Sequence, residues 1–234
     1  MTDHVHDLHA LSEATDRLLN AVGKLDNASI AEESHLPDWT RGHVLAHLAR
    51  NADALVNVLA GRPMYASAET READIARDAD RTVEVHLADL RATHAAFLAA
   101  AAVDQDWTRE VELRNGVRDT AARLPFRRLV EIELHHVDLD LGYALADLPA
   151  PFVAAEIAFL ADRWSAVPGL PATRLVIEAD EVHEARELRT GAAGEPAVTV
   201  RGAAPALLGW LAGRGAKGAD LTADGGPVPA LPAL

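Results

Sequence analysis

The sequence predicts an α+β protein: a four-helix bundle over residues 1–148, followed by a smaller α+β domain over 149–234. Three observations lead there. Apolar residues recur at helical spacing through roughly the first 145 positions. The segment "ALADLPAP" then breaks the pattern. Beyond it, short β-branched runs alternate with single helical stretches, the texture of a small mixed domain.

The first helix is expected over 6–24, where Leu8, Leu11, Leu18, Leu19 and Val22 fall three, four and seven apart. The second spans 40–60: it opens after "LPDWT", where Asp38 or Thr40 can cap the free N–H groups, and closes at "GRP". The third spans 82–102, with Val85, Leu87, Leu90, Phe97 and Leu98. The fourth starts near Pro125 and runs to about Tyr143, since proline suits a first helical turn. Four helices of about 20 residues, each about 30 Å long, enclose one mutual core. Between the third and fourth, "REVELRNGVRDTAA" alternates around Asn115-Gly116, a two-residue hairpin signal. In the second domain a helix is expected over 152–165, strands at "TRLVIEA", "ARELRTG" and "AVTVRG", a helix in "APALLGWLAGRG", and an irregular Pro-rich tail.

Composition narrows the function. A net charge of −14 argues against a nucleic-acid partner, because a polyanion would be repelled. No apolar run is long enough to span a bilayer, and "MTDHVHDLHALSE" lacks the basic and apolar regions of a signal peptide, so a cytoplasmic protein without a membrane partner is expected. The absence of cysteine rules out disulfides, zinc ribbons and a cysteine nucleophile; any thiol chemistry must use sulfur from another molecule.

The stretch EIELHHVDLDL, residues 131–141, is the most informative. Laid out on a helix from Glu131, His135 lies about 40° to one side and Asp138 about 20° to the other, between Ile132, Leu139, Leu134 and Leu141. These three polar groups are expected to point inward, whereas Glu133, His136 and Asp140 are expected to face water. Charge buried in a core must be paired or bound to a metal. On this helix alone, a structural Glu–His pair accounts for the pattern.

The second helix adds His43 and His47. His47 lies about 60° from the inner stripe of Val44, Leu48, Asn51 and Leu55, and His43 about 100° from it, so His47 is expected inside and His43 on the exposed flank. His47, Glu131 and His135 then make a His2Glu set, a donor set typical of catalytic zinc with one position open. Asp138 would accept a hydrogen bond from one imidazole, or else belong to a local polar cluster.

"LPDWTRGHVLAHLARNADALVNVLAGRP", followed by "RRLVEIELHHVDLDLGY" and "LLGWLAGRGAKGADLTADGGPVPALP", resembles the mycothiol-dependent maleylpyruvate isomerases of the DinB-like metal-binding bundle superfamily over essentially the whole chain. The resemblance implies a zinc held by His47, Glu131 and His135, and a catalytic arginine in "AGRG", Arg214. From composition, Arg214 reads equally as a helix C-terminal cation beside a glycine cap. Relatives often carry arginine directly before the ligand glutamate; this chain has Val130 there, with Arg127 and Arg128 a turn earlier.

The activity implied is cis–trans isomerisation of maleylpyruvate to fumarylpyruvate in gentisate breakdown, with mycothiol as thiol cofactor. Zinc held there would make the thiol a thiolate. Its addition would turn the double bond into a rotatable single bond, and its expulsion would restore the alkene in the trans geometry. Arg214 would clamp a substrate carboxylate or the developing enolate. Two other readings stand beside this one: a mycothiol S-transferase conjugating electrophiles, and a non-enzymatic metal-binding or regulatory protein. The partners expected are a small substrate and the thiol, on a monomeric protein.

Overall fold

A computed structural model of the chain describes residues 4–216 and 218–232. They divide into two compact units, Met1–Tyr143 and Ala144–Leu234. The first unit holds α1 (His4–Val22), α2 (Arg41–Leu59), α3 (Ala68–Asp78), α4 (Val83–Ala101) and α5 (Leu124–Asp138). In the bundle, α1 meets α4 and α5, and α2 meets the same two, which closes a ring of four. Leu11, Leu18, Leu45, Leu48, Leu55, Leu90, Phe97 and Ile132 are buried between them. Each such side chain contributes roughly 1.5–3 kcal/mol through removal from water.

The helix α3 packs on α2 and lies outside the four sequence-predicted helices. Its buried residues, Arg71, Ile75 and Asp78, follow helical spacing, but two of the three are charged, so an apolar-periodicity search passes over it. Ser67 starts it by accepting from the Thr70 N–H at 3.1 Å. Asp78 is fully buried and is held by Arg50 at 3.3 Å, Arg77 at 2.8 Å and Arg81 at 2.6 Å. Asp89 on α4 receives Arg50 at 2.8 Å and Arg81 at 3.0 Å, so charge ties α2, α3 and α4 together.

The predicted hairpin is present as β1 (Glu110–Glu112) paired antiparallel with β2 (Arg118–Thr120). Its turn is wider than two residues: Glu112 pairs with Arg118, and 113–117 bridge them. Asn115 and Gly116 both take left-handed φ, 61° and 71°, the property that made the dipeptide a turn signal.

The helix α5 stops at Asp138, earlier than the expected end near Tyr143. The reason lies in Arg41 of α2 and in the segment before it. Arg41 donates from Nε to the Leu139 carbonyl at 2.8 Å and from NH2 to the Asp140 carbonyl at 3.1 Å, and the His35 N–H donates to the Asp138 carbonyl at 2.8 Å. Carbonyls that a longer helix would bond internally are thus satisfied from outside. Asp140 turns left-handed at φ 53°, and the chain doubles back to bring Tyr143 against His136.

The second unit contains α6 (Ala150–Ser165), β3 (Thr173–Glu178), β4 (Arg186–Thr190), β5 (Val198–Ala203), α7 (Ala204–Leu211) and β6 (Thr222–Asp224). Its sheet has the order β4-β3-β5-β6, with β3 and β5 parallel and the other pairs antiparallel. The strand β6 falls in the tail read from sequence as irregular. Trp164 Nε1 donates to the Leu211 carbonyl at 3.0 Å and Thr190 Oγ1 to that of Ala161 at 2.8 Å, joining α6 to α7 and β4. Among the described residues no helix is long and apolar enough to cross a membrane.

Candidate metal centre

The ring of helices places α2 beside α5, and the two share the site. Gly42, one turn before His47, permits the approach of the α3 end: a Cβ there would lie 2.0 Å from the Ala79 carbonyl oxygen. His47, Glu131 and His135 each offer a donor atom, all within 4.8 Å of one another. Glu131 Oε2 lies 2.9 Å from His47 Nε2 and 3.3 Å from His135 Nε2. The two rings meet edge-on with centroids 4.8 Å apart, and Trp39 covers His47 at 5.5 Å.

The far nitrogens of the two histidines face opposite chemistry. His135 Nδ1 is 2.8 Å from the Asp138 carboxylate, an acceptor, so Nδ1 carries a proton; in the neutral ring that a metal would bind, Nε2 is then the nitrogen with the lone pair facing the centre. His47 Nδ1 is 3.1 Å from Arg71 NH2, a pure donor, so its proton sits on Nε2 and bonds Glu131. Burial pulls His47 down to about 4, against the opposing hydrogen bond and charge of Glu131. Burial also disfavours the charged form of His135, but its bonds to Asp138 and Glu131 outweigh that and raise it. Burial alone would lift Glu131; hydrogen bonds from His135 and His47 hold it well below the usual carboxylate range. The centre is therefore a carboxylate beside a neutral His47.

His43 is not on an exposed flank. It is half-buried, its Nδ1 accepts from the Thr40 N–H at 3.3 Å, and its own N–H donates to Thr40 Oγ1 at 3.4 Å, closing a capping box at the start of α2. The expectation that Glu133 and His136 face water also fails: they are 1% and 3% exposed. The side of α5 that carries them is covered by α1 and by the returning Tyr143. Arg17 meets Glu133 at 2.5 Å, Tyr143 donates to it at 2.9 Å, and His136 stacks on Tyr143 at 4.1 Å. Glu131, read as central to the apolar stripe, keeps 31% of its side chain exposed. Asp140 is exposed, as expected. Arg128 lies inside the bundle, 1% exposed, with NH1 on Asn51 Oδ1 at 2.8 Å; Arg127 instead bonds Asp119 at 2.7 Å.

Arg214 belongs to the second unit, where it closes α7. Its N–H bonds the Gly209 carbonyl at 2.7 Å, and that of Gly213, at φ 69°, bonds Trp210 at 3.2 Å; together these form a Schellman motif. Its guanidinium returns to the Ala212 carbonyl at 2.9 Å. Sequence reasoning missed Arg71, which arrives on the unpredicted α3.

A four-helix bundle with an inward His2Glu set defines a class of metal-binding bundle proteins. Residues 11–140, more than half of the chain, match the family model of the mycothiol maleylpyruvate isomerase N-terminal domain, and the chain belongs to that family. Two solved structures are similar over 99% of this chain and 97% of theirs, with a TM-score of 0.85 and 26% identity: a crystal structure of the mycothiol-dependent maleylpyruvate isomerase, and one of a mutant of that enzyme with a histidine replaced by alanine. No curated protein matches the chain.

Proposed function

We propose that the protein is a zinc- and mycothiol-dependent maleylpyruvate isomerase, converting the cis substrate to fumarylpyruvate. The observation that carries this is the His47–Glu131–His135 cluster in a chain of this family. The residues fit a zinc ion: two imidazole nitrogens and one carboxylate oxygen already converge, and Asp138 fixes His135 in the tautomer that a metal ligand needs. Zinc held there would favour the thiolate of mycothiol, whose reversible addition to the substrate double bond would allow rotation about it.

The chain's own residues do the rest. Glu131 brings negative charge to the centre, and the neutral His47 does not repel a cation. The Trp39 ring packs edge-on against His47, with centroids 5.5 Å apart. Arg214 is the proposed substrate cation. The absence of cysteine leaves no thiol of the protein to compete with the cofactor.

The test is an ultraviolet assay of maleylpyruvate consumption, with and without mycothiol and zinc. Turnover that needs both, with the thiol recovered, is the expected result. Accumulation of a stable thioether would instead make the protein an S-transferase, and activity with neither would overturn the scheme. Arg214→Ala should retain zinc and lose most turnover; normal turnover would remove that residue from the mechanism.

A further inference from the structure

Beside His47 the first unit contains a cavity of about 580 Å³, walled by the segment joining α2 to α3, the first turn of α3, and the hairpin. Four arginines line it, Arg62, Arg71, Arg109 and Arg114, against the glutamates 110 and 112. In a chain of net charge −14 this is a local inversion of sign, and a concave wall focuses such a field on an anion. Arg62 bonds the Asn57 side-chain oxygen at 2.8 Å, and Arg109 bonds the carbonyls of Val58 and Leu59 at 3.3 and 2.7 Å. Those acceptors are neutral and offset none of the positive charge. Of the two carboxylates, Glu110 is engaged by Arg118 at 2.6 Å.

Arg71 connects this cavity to the metal centre. It is 8% exposed and forms part of the cavity wall; NH1 pairs with Glu72, the guanidinium lies 5.8 Å from the Tyr65 ring centroid, and NH2 meets His47 Nδ1 at 3.1 Å. That last bond requires a lone pair on Nδ1. If Nε2 of the neutral ring binds a metal, its one proton must move to Nδ1, where it would point at an Arg71 N–H. Two donors cannot share that contact. Metal binding at Nε2 and the Arg71–His47 hydrogen bond exclude each other.

We propose that the arginine-lined cavity is a carboxylate-binding subsite whose anchor, Arg71, is released from His47 when a metal occupies the His47–Glu131–His135 centre. Metal and carboxylate therefore bind with positive coupling. The coupling rests on the metal-centre reading above. Without metal, Arg71 is engaged by His47; with metal, its guanidinium turns to a carboxylate in the cavity, which it can clasp with two N–H groups.

The test measures zinc affinity by chelator competition and succinate affinity by calorimetry, on the whole protein. In the wild type, zinc should tighten succinate about fivefold or more, and succinate should tighten zinc by the same factor. Arg71→Met should bind zinc more tightly than wild type and show no coupling. Weaker zinc binding in this variant would make Arg71 a support of the site and overturn the proposal. Coupling that survives in it would place the carboxylate on the metal and would overturn the proposal equally. Arg114→Ser alters an exposed hairpin position, so the fold is not at stake. It should weaken succinate severalfold and leave zinc affinity in the absence of succinate unchanged; unchanged succinate affinity would overturn the cavity assignment. Failure of the metal-centre reading looks different: His47→Ala would then bind zinc as well as the wild type.

Discussion

Asp138 holds His135 by its Nδ1 at 2.8 Å, one turn along the same helix, and is itself 1% exposed. A carboxylate so placed fixes the ring's tautomer and raises its basicity toward a metal. Asp138→Asn should lower zinc affinity by about 10–100-fold, read by chelator competition. An unchanged affinity would show that the contact does not orient a ligand.

His47→Ala, Glu131→Gln and His135→Ala should each lose stoichiometric zinc by elemental analysis while retaining helical circular dichroism. Each removes one donor of a set of three, all within 4.8 Å. Full zinc retention in any one would remove that residue from the set.

Arg17 and Glu133 form a pair in which the carboxylate is 1% exposed and the arginine side chain 38%. The two partners should therefore respond unequally to mutation. Arg17→Met strands a buried carboxylate with Tyr143 as its remaining donor, and should cost about 3 kcal/mol in urea unfolding. Glu133→Gln returns a half-solvated arginine to water and should cost about 1–2 kcal/mol. Equal losses would contradict the asymmetry.

Gly42→Ala places a methyl group 2.0 Å from the Ala79 carbonyl oxygen and 2.9 Å from Ile30 Cγ2. Backbone at the α2–α3 junction must then shift, at a cost of about 3 kcal/mol by denaturant unfolding. A wild-type midpoint would show that the junction yields freely.

His86 is 2% exposed, and burial lowers its pKa from 6.5, opposed by a hydrogen bond to the Ala79 carbonyl at 3.3 Å. A lowered histidine binds its proton later in the folded state than in the unfolded one. Its contribution is therefore intact above pH 6.5 and erodes as pH falls toward the folded value, by at most about 1.4 kcal/mol per pH unit. Thermal unfolding of His86→Gln should show a shallower decline between pH 6.5 and 5 than the wild type. Parallel curves would assign the acid sensitivity elsewhere.

The sequence made the bundle legible wherever a helix buries one apolar stripe, as α1 and α4 do. It also brought out His47, Glu131 and His135, which two helices present toward one point. The reading failed where burial came from more than one side. A single helical wheel assumes one wet face, yet α5 is wrapped by α1, α2 and the returning Tyr143, which hides Glu133 and His136. It failed again at α3, whose inward stripe is written as Arg71, Ile75 and Asp78. Arg71 could be found only from the structure, since its partner is 24 residues away on another helix.

The composition of that stripe also sets how α3 detaches. Lifting it from α2 uncovers Ile75 but little other grease, so its opening exposes little new surface to solvent. In native-state hydrogen exchange, its amides should show an opening free energy that is low and nearly flat with denaturant. Those of α2 and α5 should follow the steep line of global unfolding. One wall beside His47 can thus breathe while the helices that carry His47, Glu131 and His135 remain closed.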